Sequence, residues 1–120
     1  MVIVMPFRKV RDALVHLFVR RRSVTSVGSV ATERGDRYAR QLVSHLGRKV
    51  SAVWDEASSV GTITFDEASH AVLTVSAEAL TMTLVCPEAR AAELRDVLER
   101  HLVGFGAREN LRVTWETHRR

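Results

Sequence analysis

The chain has 120 residues, of which 46% are hydrophobic and 27% are charged, and its formal net charge at pH 7 is +4. This length suits one domain with a substantial core and is too short for two. A single cysteine, Cys86, excludes an internal disulfide and a cysteine zinc cluster, and no apolar run reaches the roughly 18 residues of a transmembrane helix.

The positive charge is concentrated at the N-terminus. Residues 1–22 carry six Arg or Lys and one Asp, whereas residues 23–120 carry twelve Arg or Lys and thirteen Asp or Glu. A nucleic-acid-binding domain spreads basic residues over its folded surface, so the near-neutral remainder argues against nucleic acid as a partner. The sparing use of cysteine fits a reducing compartment, and we expect a cytoplasmic protein.

Residues 1–22 are interpreted as a basic amphipathic extension. Three alternatives stay open for it: a disordered tail, an artefact of an early start site, or an interfacial helix that touches a membrane surface or a partner. Residues 23–29, rich in Ser, are interpreted as a linker. A single globular domain is then predicted over residues 27–118.

Two helices and six strands are predicted in this domain. A short strand over residues 27–32 precedes an amphipathic helix that ends near Leu46, with Tyr38, Gln41, Leu42, His45 and Leu46 on one face. Four strands with alternating apolar residues follow, separated by short turns. A second helix runs from Pro87 to about Phe105, and a last strand covers residues 111–117.

The predicted order is therefore β-α-β-β-β-β-α-β. Short turns between successive strands require antiparallel pairing, and strands with one apolar face require a single covering layer. The fold class is α+β, with one antiparallel sheet and both helices packed on the same face. The opposite face is rich in Thr and Ser.

Each predicted helix ends its apolar stripe with a His-Leu pair, and this makes His45 and His101 candidate site residues. If the helices pack side by side, the two imidazoles approach each other, and Glu109 or Asp55 would complete an iron or zinc site. Acid–base catalysis is a further use of the pair. The structural alternative is that each histidine is satisfied by a backbone carbonyl or by Tyr38.

Arg37, Arg108 and Glu109 form a second candidate set. Arg37 and Glu109 could form an ion pair that fixes the loop after the second helix. Alternatively, the two arginines hold an anionic ligand such as a phosphate or a carboxylate.

Several enzyme classes lack their motifs here. The sequence has no glycine-rich phosphate loop and no Gly-x-Ser-x-Gly elbow. Cys86 falls on the inward face of a strand, which is typical of a buried apolar residue rather than a nucleophile. An enzyme is therefore not favoured.

The chain from residue 27 to residue 118 resembles a bacterial group, domain-of-unknown-function family 2218. The matching residues are Arg37-Tyr38, Gln41-Leu42, His45, Lys49, Asp55, His101-Leu102, Phe105, Arg108-Glu109 and Trp115. The resemblance implies a fold similar to the TATA-binding-protein-like class. It also implies a link to iron handling, because members of the family are associated with siderophore-interacting flavin reductases.

The expected function is a non-enzymatic accessory module connected with iron or siderophore metabolism. Its partner would be an acidic small ligand, a metal complex or a siderophore-interacting reductase, bound through Arg37, His45, His101, Arg108 and Glu109. One alternative is an enzyme that uses His45, His101 and Glu109. Another is a structural module that forms a homodimer through the Thr/Ser face of the sheet.

Overall fold

A computed structural model describes residues 23–119, and the predicted extension over residues 1–22 lies outside the described residues. The predicted order of strands and helices is confirmed. In chain order the elements are β1 (Ser23–Ala31), α1 (Gly35–Leu46), β2 (Ser51–Asp55), β3 (Val60–Asp66), β4 (Ser69–Val75), β5 (Ala79–Pro87), α2 (Glu88–Phe105), a 3-10 turn (Ala107–Glu109) and β6 (Thr114–Arg119).

The six strands form one antiparallel sheet in the order β2-β3-β4-β5-β1-β6. Strands β2 to β5 form a meander because their connections are too short for anything but antiparallel pairing. Strand β1 is internal and pairs with β5 on one side and β6 on the other, so that Gly28 lies opposite both Met82 and Trp115.

Strand β1 begins at Ser23, so the linker predicted over residues 23–29 was wrong. Its serines indicate a linker by composition alone. In the structure Val24 and Ser26 are buried on the same face as Val30. The Ser26 hydroxyl lies 3.4 Å from the hydroxyl of Thr117 and accepts a hydrogen bond from Arg95 at 3.3 Å. A small polar residue is thus accommodated beneath α2 because it has partners there.

Both helices cover the same face of the sheet. Leu84 of β5 lies opposite Ser26 of β1 and Ala71 of β4, and all three are buried. The other face stays open, and Val53 on β2 is 61% exposed there. No helix of the described chain is both long enough and apolar enough to cross a membrane.

The helices meet along the edges of their apolar stripes. The buried residues of α1 include Tyr38, Ala39, Leu42, Val43 and Leu46, and those of α2 are Ala91, Leu94, Leu98 and Leu102. Gln41, which the sequence places on the apolar face, is exposed. His45, His101 and Phe105 are half-buried, because they lie at the seam where α1 faces α2 rather than over the sheet.

Candidate functional site

The seam between the helices brings the two candidate histidines into contact. The ring centroids of His45 and His101 lie 4.8 Å apart, with 46° between the ring planes. The His45 ring also meets the Phe105 ring edge-on, with 5.5 Å between the centroids. The predicted approach of His45 and His101 is therefore confirmed.

A backbone hydrogen bond fixes the orientation of His101. Its Nδ1 lies 2.6 Å from the carbonyl oxygen of Val97, one turn earlier in α2. Since a carbonyl only accepts, Nδ1 carries the hydrogen, and in the neutral ring Nε2 keeps its lone pair. The structural alternative predicts such a bond. The same bond also orients imidazoles that bind metals, because their second nitrogen usually donates to a carbonyl or carboxylate.

The histidine pair forms part of the wall of a cleft of about 390 Å³ between α1, α2, the loop before β2 and the end of β3. Four cationic side chains and one carboxylate line it: Arg48, Lys49, Arg90, Arg100 and Glu93. Its apolar wall consists of Leu46, Val50, Phe65, Leu94 and Val97. The cleft is thus both apolar and positively charged.

The four cations differ in how far they are already paired. Arg90 forms ion pairs with Asp66, at the β3–β4 turn, and with Glu93, and Arg100 lies 3.9 Å from Asp96. Arg48 and Lys49 form no ion pair within residues 23–119. These two are therefore available to an anion in the cleft.

Most of these lining residues were not predicted from the sequence, although the spacing on α2 contains a signal. Arg90, Leu94, Val97 and His101 follow at spacings of four, three and four residues and therefore share one face of α2. Arg48 and Lys49 follow α1 in a loop, so helical spacing cannot place them. Only the packing of this loop brings their side chains to the cleft beside α2.

Glu109 lies at the other end of the seam, and its partner is Arg34. The distance from Arg34 Nη1 to Glu109 Oε1 is 3.4 Å, so the predicted ion pair between Arg37 and Glu109 was wrong. Arg34 precedes α1 with a non-helical backbone, and this directs its side chain toward the turn after α2. Helical spacing cannot predict a residue that lies just outside the helix.

The hydroxyl of Tyr38 also interacts with Glu109. A hydrogen bond to this carboxylate raises the pKa of Tyr38, and burial of the phenol acts in the same direction. Tyr38 is only 5% exposed. The buried phenol and the carboxylate together hold the turn against α1.

A close backbone approach sets the position of that turn. A Cβ atom at Gly106 would lie 2.2 Å from Leu111 Cδ1, so only glycine allows Leu111 to pack there. Asn110 adopts a left-handed conformation with φ of 56°, which ends the turn. Arg108 and Glu109 are held between these two positions.

The three-residue metal sites considered from the sequence do not form. Within residues 23–119, no group of three or more His, Cys, Asp or Glu side chains could hold a metal. Glu109 is held at the far end of the seam, and Asp55 accepts hydrogen bonds from Ala57 and Ser58 in its own turn. The histidines therefore form a pair without a protein carboxylate.

Cys86 is fully buried, as its inward position in the strand predicts. Burial raises the pKa of its thiol, because a thiolate is poorly solvated inside the core. The thiol therefore stays protonated at neutral pH and is not poised as a nucleophile.

Comparison with known proteins agrees with this architecture. The sequence profile of a family described as "Uncharacterized protein conserved in bacteria (DUF2218)" matches residues 27–116. The fold is similar to the NMR structure of PA4090 from Pseudomonas aeruginosa, with a TM-score of 0.61 and 28% sequence identity, over 77% of this chain and 94% of that chain. No curated protein matches the sequence.

Proposed function

This chain belongs to the DUF2218 family of uncharacterised bacterial proteins, and we propose that it is a non-enzymatic accessory module that binds an anionic iron chelate. The proposal rests on one observation above all. His45 and His101 contact each other at the wall of a cleft that is lined by cationic and apolar side chains. The imidazoles would bind the metal, the cations would attract the negative charge of the chelate, and the apolar side chains would contact its organic body.

The spacing of the imidazoles fits two adjacent positions on one metal ion. A metal–nitrogen bond is about 2.1 Å long, which places the centroids of two neighbouring imidazole ligands about 4.5–5 Å apart. The observed separation is 4.8 Å. His101 already has the fixed orientation that a ligand needs, through Val97. The separation of the rings is therefore compatible with two nitrogen ligands on one ion.

Two imidazoles alone are an incomplete ligand set for iron, which usually binds six donor atoms in octahedral geometry. No carboxylate completes the set within the described residues. A metal that arrives in a chelate brings its remaining donors with it. The site therefore favours a chelated ion over a free one.

Charge and shape favour the same ligand. Arg48 and Lys49 have no ion-pair partner in the described part of the chain and would attract a negatively charged chelate. Phe65 and Leu94 provide an apolar wall for an aromatic or aliphatic body. Siderophores combine these properties. The resemblance to a family associated with siderophore-interacting reductases supports iron as the metal and such a cytoplasmic reductase as the partner.

Calorimetric titration of untagged protein with ferric nitrilotriacetate tests this function. The chelator occupies four positions on the ion and leaves two adjacent ones for His45 and His101. We expect saturable binding of one equivalent, with an affinity at least tenfold lower in His45→Ala and in His101→Ala.

His70→Ala is the matched control, because His70 is exposed on the opposite face of the sheet. Lys49→Gln removes a charge but no metal ligand, and because ferric nitrilotriacetate has no formal net charge, this variant should lose less affinity for the probe than either histidine variant. Equal affinity in the wild type and in the His45→Ala/His101→Ala double variant would rule out the proposed site.

A further inference from the structure

The other end of the helix seam forms a second pocket, and we propose that it binds a small phosphate or carboxylate anion between Arg37 and Arg108. This site is separate from the chelate cleft and does not depend on the proposed function. Three features support this proposal: the volume of the pocket, the charges of its lining and the buried Tyr38.

The pocket has a volume of about 440 Å³ and lies between the start of α1 and the turn after α2. Its lining consists of Arg34, Arg37, Tyr38, Gln41, Gly104, Phe105, Ala107, Arg108 and Glu109. None of these residues lines the histidine cleft. Phe105 lies between the two, since its ring contacts His45 while it lines this pocket.

Three guanidinium groups and one carboxylate line the pocket, and the carboxylate is already engaged. Glu109 forms an ion pair with Arg34 and interacts with the hydroxyl of Tyr38. Neither Arg37 nor Arg108 forms an ion pair within residues 23–119. The pocket thus has two arginines without an ion pair among the described residues, and a carboxylate that is paired with Arg34.

The cations of the pocket are arginines, and this limits the range of ligands that would fit. A guanidinium group presents paired N–H donors that match two oxygens of one carboxylate or phosphate. Gln41 adds an exposed amide that can donate or accept a hydrogen bond. The pocket contains no lysine. Tyr38, which also lines the pocket, is almost completely buried. These features fit a compact oxyanion better than a long flexible polyanion.

Backbone NMR titrations with inorganic phosphate and, separately, with acetate test the site at constant ionic strength, with chloride as the balancing salt. We expect saturable shifts in two segments, residues 37–41 and 104–109. The double variant Arg37→Gln/Arg108→Gln should lose at least tenfold in affinity. The anion that binds more tightly to the wild type identifies the ligand class as phosphate or carboxylate.

Two control proteins make the result decisive. Arg112→Gln removes a nearby exposed arginine that does not line the pocket and should bind the anion as the wild type does. The His45→Ala/His101→Ala variant should also bind it, so this site and the chelate cleft can fail independently. Shifts that do not saturate, or an affinity unchanged in the double arginine variant, would overturn the proposal.

Discussion

At the scale of single residues, Tyr38 links the buried core to the turn after α2 through Glu109. It is the only tyrosine in the chain, so the absorbance change on forming tyrosinate reports this one side chain. Its pKa is raised above the ordinary value of 10.0, first by the hydrogen bond to Glu109 and then by burial. The folded state therefore favours the neutral phenol. The stability that this contributes is present below pH 10.0 and is lost as the pH rises through the folded-state pKa.

We predict that the tyrosinate transition of the folded protein has its midpoint above pH 10.0 and that Glu109→Gln lowers it. The midpoint should remain somewhat raised in this variant, because burial persists. Glu56→Gln removes a carboxylate that is paired with Arg40 at an exposed site and should leave the midpoint unchanged. A wild-type midpoint at or below 10.0 would contradict the assigned contact.

Residue-level contacts were predictable from the sequence only where a helix fixes their direction. His45 and His101 lie at regular helical positions, so their meeting follows from two stripes on packed helices. The partner of Glu109 did not follow, because Arg34 lies one residue before α1 and its backbone is not helical. The geometry of such flanking residues depends on tertiary contacts, which no sequence period records.

At the scale of elements, strand β1 was the hardest part to predict. Its Ser, Thr and Gly content is typical of a loop, yet it pairs with β5 and β6 along most of its length. The glycine in this strand has a structural reason, because the ring of Trp115 lies against the backbone of Gly28. A Cβ atom at Gly28 would be 2.8 Å from Trp115 Cζ3. The glycine thus makes room for an aromatic ring on a neighbouring strand.

Gly28→Ala should therefore lower the free energy of unfolding by about 1–3 kcal/mol, since the added methyl group displaces Trp115. The indole resonance of Trp115 should shift as well, because its Nε1 donates a hydrogen bond to Glu99 at 2.8 Å. Chemical denaturation and NMR provide the two measurements.

Gly104→Ala is the matched substitution in α2, where a Cβ atom meets nothing within 4 Å. It should raise the free energy of unfolding by about 0.5–1 kcal/mol, because alanine loses less backbone entropy in a helix. A Gly28→Ala variant as stable as the wild type would show that the close approach of Trp115 does not constrain β1.

At the scale of the whole molecule, the alternation of apolar residues was enough to predict a one-sided antiparallel sheet under two helices. It was not enough to predict the cleft, whose charges come from a loop and from one face of α2. The use of the open Thr/Ser face for a homodimer stays a prediction. Binding of a chelate at the seam requires only one copy of the chain.

The most direct measurement is hyperfine spectroscopy of the protein loaded with ferric nitrilotriacetate, which counts the imidazole nitrogens bound to iron. We expect two nitrogens in the wild type, one in His45→Ala and one in His101→Ala, with two retained in His70→Ala. Iron with no protein nitrogen in the wild type, or with the same number in all four proteins, would contradict it.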